Sequence, residues 1–302
     1  EEKDLRAVEA EEILQTFEAK NFRIQGIIGG PPCRGFSSAN TKTRNPENPH
    51  NSLYKDYIRL VKDLQPDFFM FENVIGLLSM GNGEIIRDIE DKLGEELGYV
   101  MDKAILDASD YGVPQIRKRV IIIGIKPDKL KPEYNGKIKF PEKTVDRAVT
   151  VQEALFDLPV AESGCLQDVY DYPETEHLSS YARQMRKTPI LDIASPRVLN
   201  HNTTKSTDIV LERYKHIKQG ENWESIPDHL LKNYKDKNRC HSGIYRRLKE
   251  DEPSLTINNV RKSMFIHPRQ HRGLSVREAA RLQSFPDWYE FKGIRDSQYQ
   301  QV

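Results

Sequence analysis

The chain has 302 residues, 37% of them hydrophobic, and its 46 Lys and Arg balance its 46 Asp and Glu to a formal net charge of zero. That length holds one large core or two modest domains, and the composition excludes the disordered, collagenous and fibrous classes. No apolar run approaches the roughly 20 residues that span a bilayer, and the start Glu1-Glu2-Lys3-Asp4 lacks the basic-then-apolar pattern of a secretory signal. Three widely spaced cysteines, Cys33, Cys165 and Cys240, suggest neither a disulfide framework nor a paired-ligand metal cluster. The expectation is a reducing, intracellular setting with no membrane and no metal.

In chain order, the apolar run 24–28 reads as a buried strand that ends in Gly29-Gly30-Pro31-Pro32-Cys33-Arg34-Gly35-Phe36-Ser37. Proline fixes φ and glycine permits close backbone approach, so the four residues before Cys33 specify a pre-shaped turn, a good place for a nucleophile. A helical pattern over 53–64 precedes the apolar run Phe68-Phe69-Met70-Phe71, which leads into Glu72-Asn73-Val74. A helix over 84–97 follows, then apolar runs at 99–106 and 120–125 separated by a turn with Gly112, Val113 and Pro114. Strands alternating with helices predict a mostly parallel sheet covered on both faces, with the last close pair as an antiparallel edge. In such sheets ligands bind beyond the carboxyl ends of strands, and Cys33 and Glu72 are each expected just past one.

Thr150-Val151-Gln152-Glu153 is a capping-box start for a short helix ending near Pro159. From 161 to 252 the chain turns polar, with a helix expected over 206–219 and closed by Gly220. A second capping box, Ser275-Val276-Arg277-Glu278, opens a helix stopped by Pro286, read as a brace between domains. The composition shift near Pro159 is the expected domain boundary.

Glu72, reached directly from four apolar residues, is expected to be partly desolvated, which would raise its pKa and suit it to proton donation near neutral pH. Gln115-Ile116-Arg117-Lys118-Arg119 enters the strand at 120, and alternation would put Gln115, Arg117 and Arg119 on one face of it. Further basic clusters, at 183–187, 232–239, 246–247 and 261–272, permit one face for phosphates on a neutral chain. Taken singly, each has a plain structural explanation: a small buried cysteine, a strand-end ion pair, solubilising arginines.

Together, the Pro-Pro-Cys-Arg-Gly-Phe-Ser loop, Glu72-Asn73-Val74, Gln-x-Arg-x-Arg and the late Leu274-Ser275-Val276-Arg277-Glu278-Ala279-Ala280-Arg281-Leu282-Gln283-Ser284-Phe285-Pro286 resemble the bacterial DNA cytosine-5 methyltransferase family, in order and over most of the chain. The resemblance implies a Rossmann-like S-adenosylmethionine-dependent α/β sheet with a smaller, irregular target-recognition domain. Residues 1–159 would form a partial catalytic domain and 160–286 the target-recognition domain, with 287–302 returning to the first. It implies Cys33 as the nucleophile at C6 of a flipped-out cytosine, Glu72 at ring N3, Arg119 holding the base and Arg117 as a second contact. Ser37, Asn73 and Gln115 are the implied substrate contacts, and Asp4, Pro31 and Pro32 the implied cofactor contacts. Double-stranded DNA is the implied partner and the bacterial cytoplasm, at the nucleoid, the implied place, with the modification half of a restriction system as the setting. An RNA cytosine-5 methyltransferase, or a catalytically silent DNA-binding subunit, are the alternatives.

Two family features are absent. The Phe-x-Gly-x-Gly cofactor loop does not precede the cysteine loop, and Gln298-Tyr299-Gln300-Gln301-Val302 stops short of a final Gly-Asn-Ser/Ala-Val. The expectation is a chain truncated at both ends, with little or no methylation unless a further segment or second subunit supplies the missing parts.

Overall fold

The computed structural model describes residues 4–32, 53–175, 178–188, 195, 197–232, 244–257, 260 and 265–302. Cys33, Ser37 and Cys240 lie outside the described residues. The chain forms two compact units, Glu1–Asp107 with Lys118–Glu142, and Ala108–Arg117 with Lys143–Val302.

The first unit contains α1 (Ala10–Glu18), β1 (Gly26–Gly29), α2 (Leu53–Leu64), β2 (Phe68–Val74), α3 (Glu84–Ile89), β3 (Val100–Asp107) and β4 (Lys118–Ile125). On α2, Tyr54, Tyr57, Ile58 and Val61 recur at helical spacing and are buried. They pack with Phe69 and Phe71 of β2 and Val120 and Ile122 of β4, the alternate residues that share one face of the sheet. The helical segment that α3 begins continues through Glu95 in wider turns, where the Glu96 N–H donates to the Asp91 carbonyl five residues back. The opposite face of the sheet carries the half-buried Met70, Glu72, Arg119 and Ile121.

Strand order is β1-β2-β4-β3. β1 and β2 run parallel, while β4 lies antiparallel between β2 and β3. The sheet is therefore mixed rather than mostly parallel: the last close pair is antiparallel as expected, but its second member also inserts beside β2. That pairing lengthens β2 beyond the apolar run, because Glu72 sits opposite Ile121, Asn73 opposite Val120 and Val74 opposite Arg119. Glu72 thus lies inside a strand, yet β1 ends with Gly29 opposite Phe71. Glu72 is the first residue of β2 past the parallel pair.

The second unit holds α4 (Val151–Leu155), β5 (Val169–Asp171), α5 (Ser180–Arg186), β6 (Arg197–Leu199), α6 (Asp208–Lys215), α7 (Val276–Arg281) and α8 (Arg295–Gln301). Both expected capping boxes form, Thr150 with Glu153 on α4 and Ser275 with Glu278 on α7. α6 is shorter than expected, and Gly220 beyond it adopts φ +82°. The core joins α4, α5, β6 and α7, and it includes Tyr299 of α8. The division thus falls at 142/143, not near Pro159, and the second unit is the larger. Residues 287–302 belong to it, and α7, fully buried there, is part of its core.

Several arginines read as surface charge are buried in this unit. Arg247 donates to the carbonyls of Tyr214, Ile217, His267 and Gln270. Arg277 donates to those of Leu199, Pro286 and Tyr289. Arg272 pairs with Glu278 at 2.6 Å, and Arg281 with Asp287 at 2.6 Å and Asp157 at 3.0 Å. Such charges are tolerated in a core because every one is paired or hydrogen-bonded.

Candidate active site

The site grows from the end of the parallel pair in the first unit. Glu72 and Arg119 lie diagonally across β2 and β4 with side chains on the same face. The Arg119 Nε donates to Glu72 Oε1 at 2.9 Å, and an Arg119 Nη donates to the Lys118 carbonyl at 2.8 Å. Glu72 keeps 39% of its side-chain surface exposed and Arg119 19%. Glu72 is therefore a half-buried carboxylate inside β2, ion-paired to Arg119. A partly exposed pair of this kind contributes at most about 1 kcal/mol to stability, so its value is orientation.

The loop that leads to Cys33 is fastened to the same place. A Cβ on Gly30 would stand 2.8 Å from Glu72 Oε2 and 3.4 Å from the Glu72 carbonyl, so a larger residue there would push the carboxylate aside. The Asn73 side chain, 5% exposed, donates from Nδ2 to the Pro31 carbonyl at 3.0 Å, while its Oδ1 accepts from the Val74 N–H at 3.0 Å. Beneath them the Tyr57 hydroxyl of α2 donates to the Met70 carbonyl at 2.9 Å and lies 3.2 Å from the Ile27 carbonyl, tying β1 to β2. Burial pushes that hydroxyl's pKa upward, which keeps it a donor.

The structure thus brings Pro31, Glu72, Asn73 and Arg119 together. Pro32 follows, exposed, and Cys33 and Ser37 lie outside the described residues. Asp4 sits in the same unit before a short 3-10 turn. Its Oδ1 accepts from the Arg6 N–H and Nε, and its Oδ2 from Arg6 Nη2. Gln115 and Arg117 are not on β4, which begins at Lys118, so the expected three-residue strand face does not form. Both belong to the second unit. Gln115 is fully buried there, donating to the Leu282 carbonyl at 3.2 Å and accepting from the Ile257 N–H at 3.4 Å, a packing role rather than an exposed contact. The half-buried Arg117 accepts the Ala108 N–H at its carbonyl.

Sequence reasoning passed over Tyr57 and the contact that Gly30 makes with Glu72. A tyrosine on the apolar stripe of α2 is the signal for the first, since a buried hydroxyl needs a partner. Among the described residues no group of three or more His, Cys, Asp or Glu could hold a metal ion, and no helix is long and apolar enough to cross a membrane.

Residues 1–302 match the family model for C-5 cytosine-specific DNA methylases. The type II methyltransferase M.DdeI of Desulfomicrobium norvegicum is 37% identical over 295 residues, 92% of this chain and 68% of that protein. M1.HphI of Haemophilus parahaemolyticus, also a type II methyltransferase, is 31% identical over all of this chain and 69% of its own length. A solved prophage-encoded Escherichia coli protein described as a DNA modification methyltransferase superposes with a TM-score of 0.70 at 27% identity, covering 99% of this chain and 79% of that one. The Dnmt2 methyltransferase of S. pombe, at 12% identity and TM-score 0.52, shares the fold over 99% of this chain and 77% of its own. With a family model spanning its whole length and these relatives, the chain belongs to the C-5 cytosine-specific DNA methylase family.

Proposed function

We propose that the protein methylates C5 of a cytosine turned out of duplex DNA, through a transient bond from the Cys33 sulfur to C6, as the modification enzyme of a type II restriction system. The observation that carries this reading is the Glu72–Arg119 pair seated against Gly30, three residues before Cys33, at the carboxyl end of a parallel strand pair. Cytosine C5 is a poor nucleophile. Addition of the Cys33 thiolate at C6 converts it to an enamine carbon, and the electron density that moves into the ring is met at N3 by the Glu72 carboxyl. Arg119 fixes the direction of that carboxyl and adds a positive charge beside the ring. Loss of the C5 proton to solvent base and expulsion of the Cys33 thiolate restore the C5–C6 double bond.

Asp4, Pro31 and Pro32 are the residues that would hold S-adenosylmethionine. They fit it in kind: the Asp4 carboxylate is half-exposed and held in place by Arg6, an acceptor of the kind that an adenine amine meets. The turn containing Asp4 is tied by Arg59 of α2, which donates to the Leu5 carbonyl at 3.2 Å. When bound, the cofactor supplies an electrophilic methyl group on a sulfonium sulfur. The first unit carries this chemistry, and the second, with the polar region after residue 160, grips and reads the DNA.

The test is methyl transfer by the full-length protein from labelled S-adenosylmethionine to duplex DNA and to RNA, with digestion to nucleosides. Label in 5-methylcytosine from DNA is expected, falling about 10²–10⁴-fold in Glu72→Gln. Label in RNA instead, or undiminished transfer by Cys33→Ser, would overturn the reading.

A further inference from the structure

We propose that Asn73 is a positioning residue that clamps the Cys33 loop to the strand bearing Glu72, and not a contact to the substrate base. This deepens, and rests on, the methyltransferase reading above. A base contact needs a polar group presented to the open site, whereas Asn73 is 5% exposed and points to the buried face of β2 together with Phe69 and Phe71. Its amide donates to the Pro31 carbonyl at 3.0 Å across 42 residues of sequence. Its carbonyl oxygen accepts the Val74 N–H, which holds the amide in the orientation that meets Pro31. Pro31 itself is buried, and proline on both sides of that carbonyl restricts the chain leaving it.

The consequence is mechanical. Glu72 and Asn73 are consecutive in β2, so their side chains leave opposite faces of one strand. One addresses the site and the other grips the loop two residues before the nucleophile. The tyrosine tie from α2 fixes β1 to β2 one layer below. The Pro31 end of the chain leading to the nucleophile and the proton-handling carboxyl are thereby tied to one strand, and a misplacement of about 1 Å between reacting groups can cost about 10²-fold in rate.

Asn73→Ala and Asn73→Asp separate the alternatives; the aspartate keeps the shape but puts an acceptor against the Pro31 carbonyl. Two readouts are taken on full-length protein whose thermal unfolding confirms folding. The first is alkylation of Cys33 by iodoacetamide without DNA, followed by peptide mass spectrometry. The second is kcat and KM on duplex DNA. The clamp predicts at least a tenfold change in Cys33 alkylation rate, and kcat down about 10²-fold with KM within twofold. It also predicts that neither variant changes the ratio of affinities for DNA with a cytosine or an abasic site at the target. Unchanged Cys33 alkylation, or loss of that ratio with kcat preserved, overturns the clamp. Altered alkylation in an enzyme whose wild type methylates no cytosine upholds the clamp and overturns the methyltransferase reading instead.

Discussion

Gly30 lacks a side chain where Glu72 needs room, and this is the closest constraint on the site. A methyl group at Gly30 meets Glu72 Oε2 at 2.8 Å, and the carboxylate must swing away from Arg119 or the loop must lift. Gly30→Ala is expected to cost about 1 kcal/mol or less, since the atom it meets is the far end of a flexible side chain, and most of that cost should vanish in Glu72→Ala. Urea unfolding of the four proteins of this double-mutant cycle measures it; additive costs would show that Gly30 does not act through Glu72. Glu72 and Arg119 were legible in the sequence because each adjoins an apolar strand whose alternation fixes a face. Gly30 was legible as part of a tight turn, but its contact with Glu72 and the role of Tyr57 were not, because both depend on which strand lies beside β1. Asn73 was legible as important but not as buried: only the pairing of β2 with β4 turns it inward.

At the scale of the element, α7 shows what patterns report and what they miss. Its capping box was readable from four residues, since the bonds that make it are local. Its arginines were not readable as core, since partners such as Asp157 and Leu199 lie far away in sequence. Arg281→Met should destabilise the second unit by about 3–5 kcal/mol, because Asp287 would be left buried without an arginine and Asp157 with Arg186 alone. Chemical denaturation checks this, and a cost below 1 kcal/mol would mean that water or Arg186 replaces it. Beside α7, burial holds His267 down from 6.5 to about 4, and its Nδ1 accepts the N–H groups of Arg269 and Gln270 at 3.1 Å, bonds that protonation would break. The nearby Glu278 partly offsets this, while Arg272 and Arg247 reinforce it. The unfolded chain takes up the proton first, so stability is lost as pH falls from about 6.5 to about 4. His267→Gln should flatten that part of the stability–pH curve; an unchanged slope would assign it to another group, such as His201.

For the whole molecule, the alternation of strands and helices announced the α/β sheet, and the loop, Glu-Asn-Val and late-helix motifs announced the family. The division into units was less visible. Residues 108–117 read as a turn followed by the entry to a strand, yet they join the second unit through contacts such as the Ile116 N–H to the Ser254 carbonyl, 138 residues apart in sequence and invisible to local pattern. The charge count misled in the same way, because Arg247, Arg272, Arg277 and Arg281 serve the second unit's interior. A modification enzyme must also choose its site, so cytosines methylated in a host expressing the full-length protein should fall within one short recurring sequence when the DNA is sequenced for 5-methylcytosine. Scattered methylation without a shared sequence would contradict the restriction-system setting. The most direct test of the central claim is trapping on duplex DNA that carries 5-fluorocytosine, where fluorine cannot leave as a cation and the enzyme stays bonded. With S-adenosylmethionine present, the account predicts a denaturation-resistant adduct mapped by peptide mass spectrometry to Cys33 and lost in Cys33→Ser; an adduct at another residue, or none from an enzyme that still methylates cytosine, would contradict it.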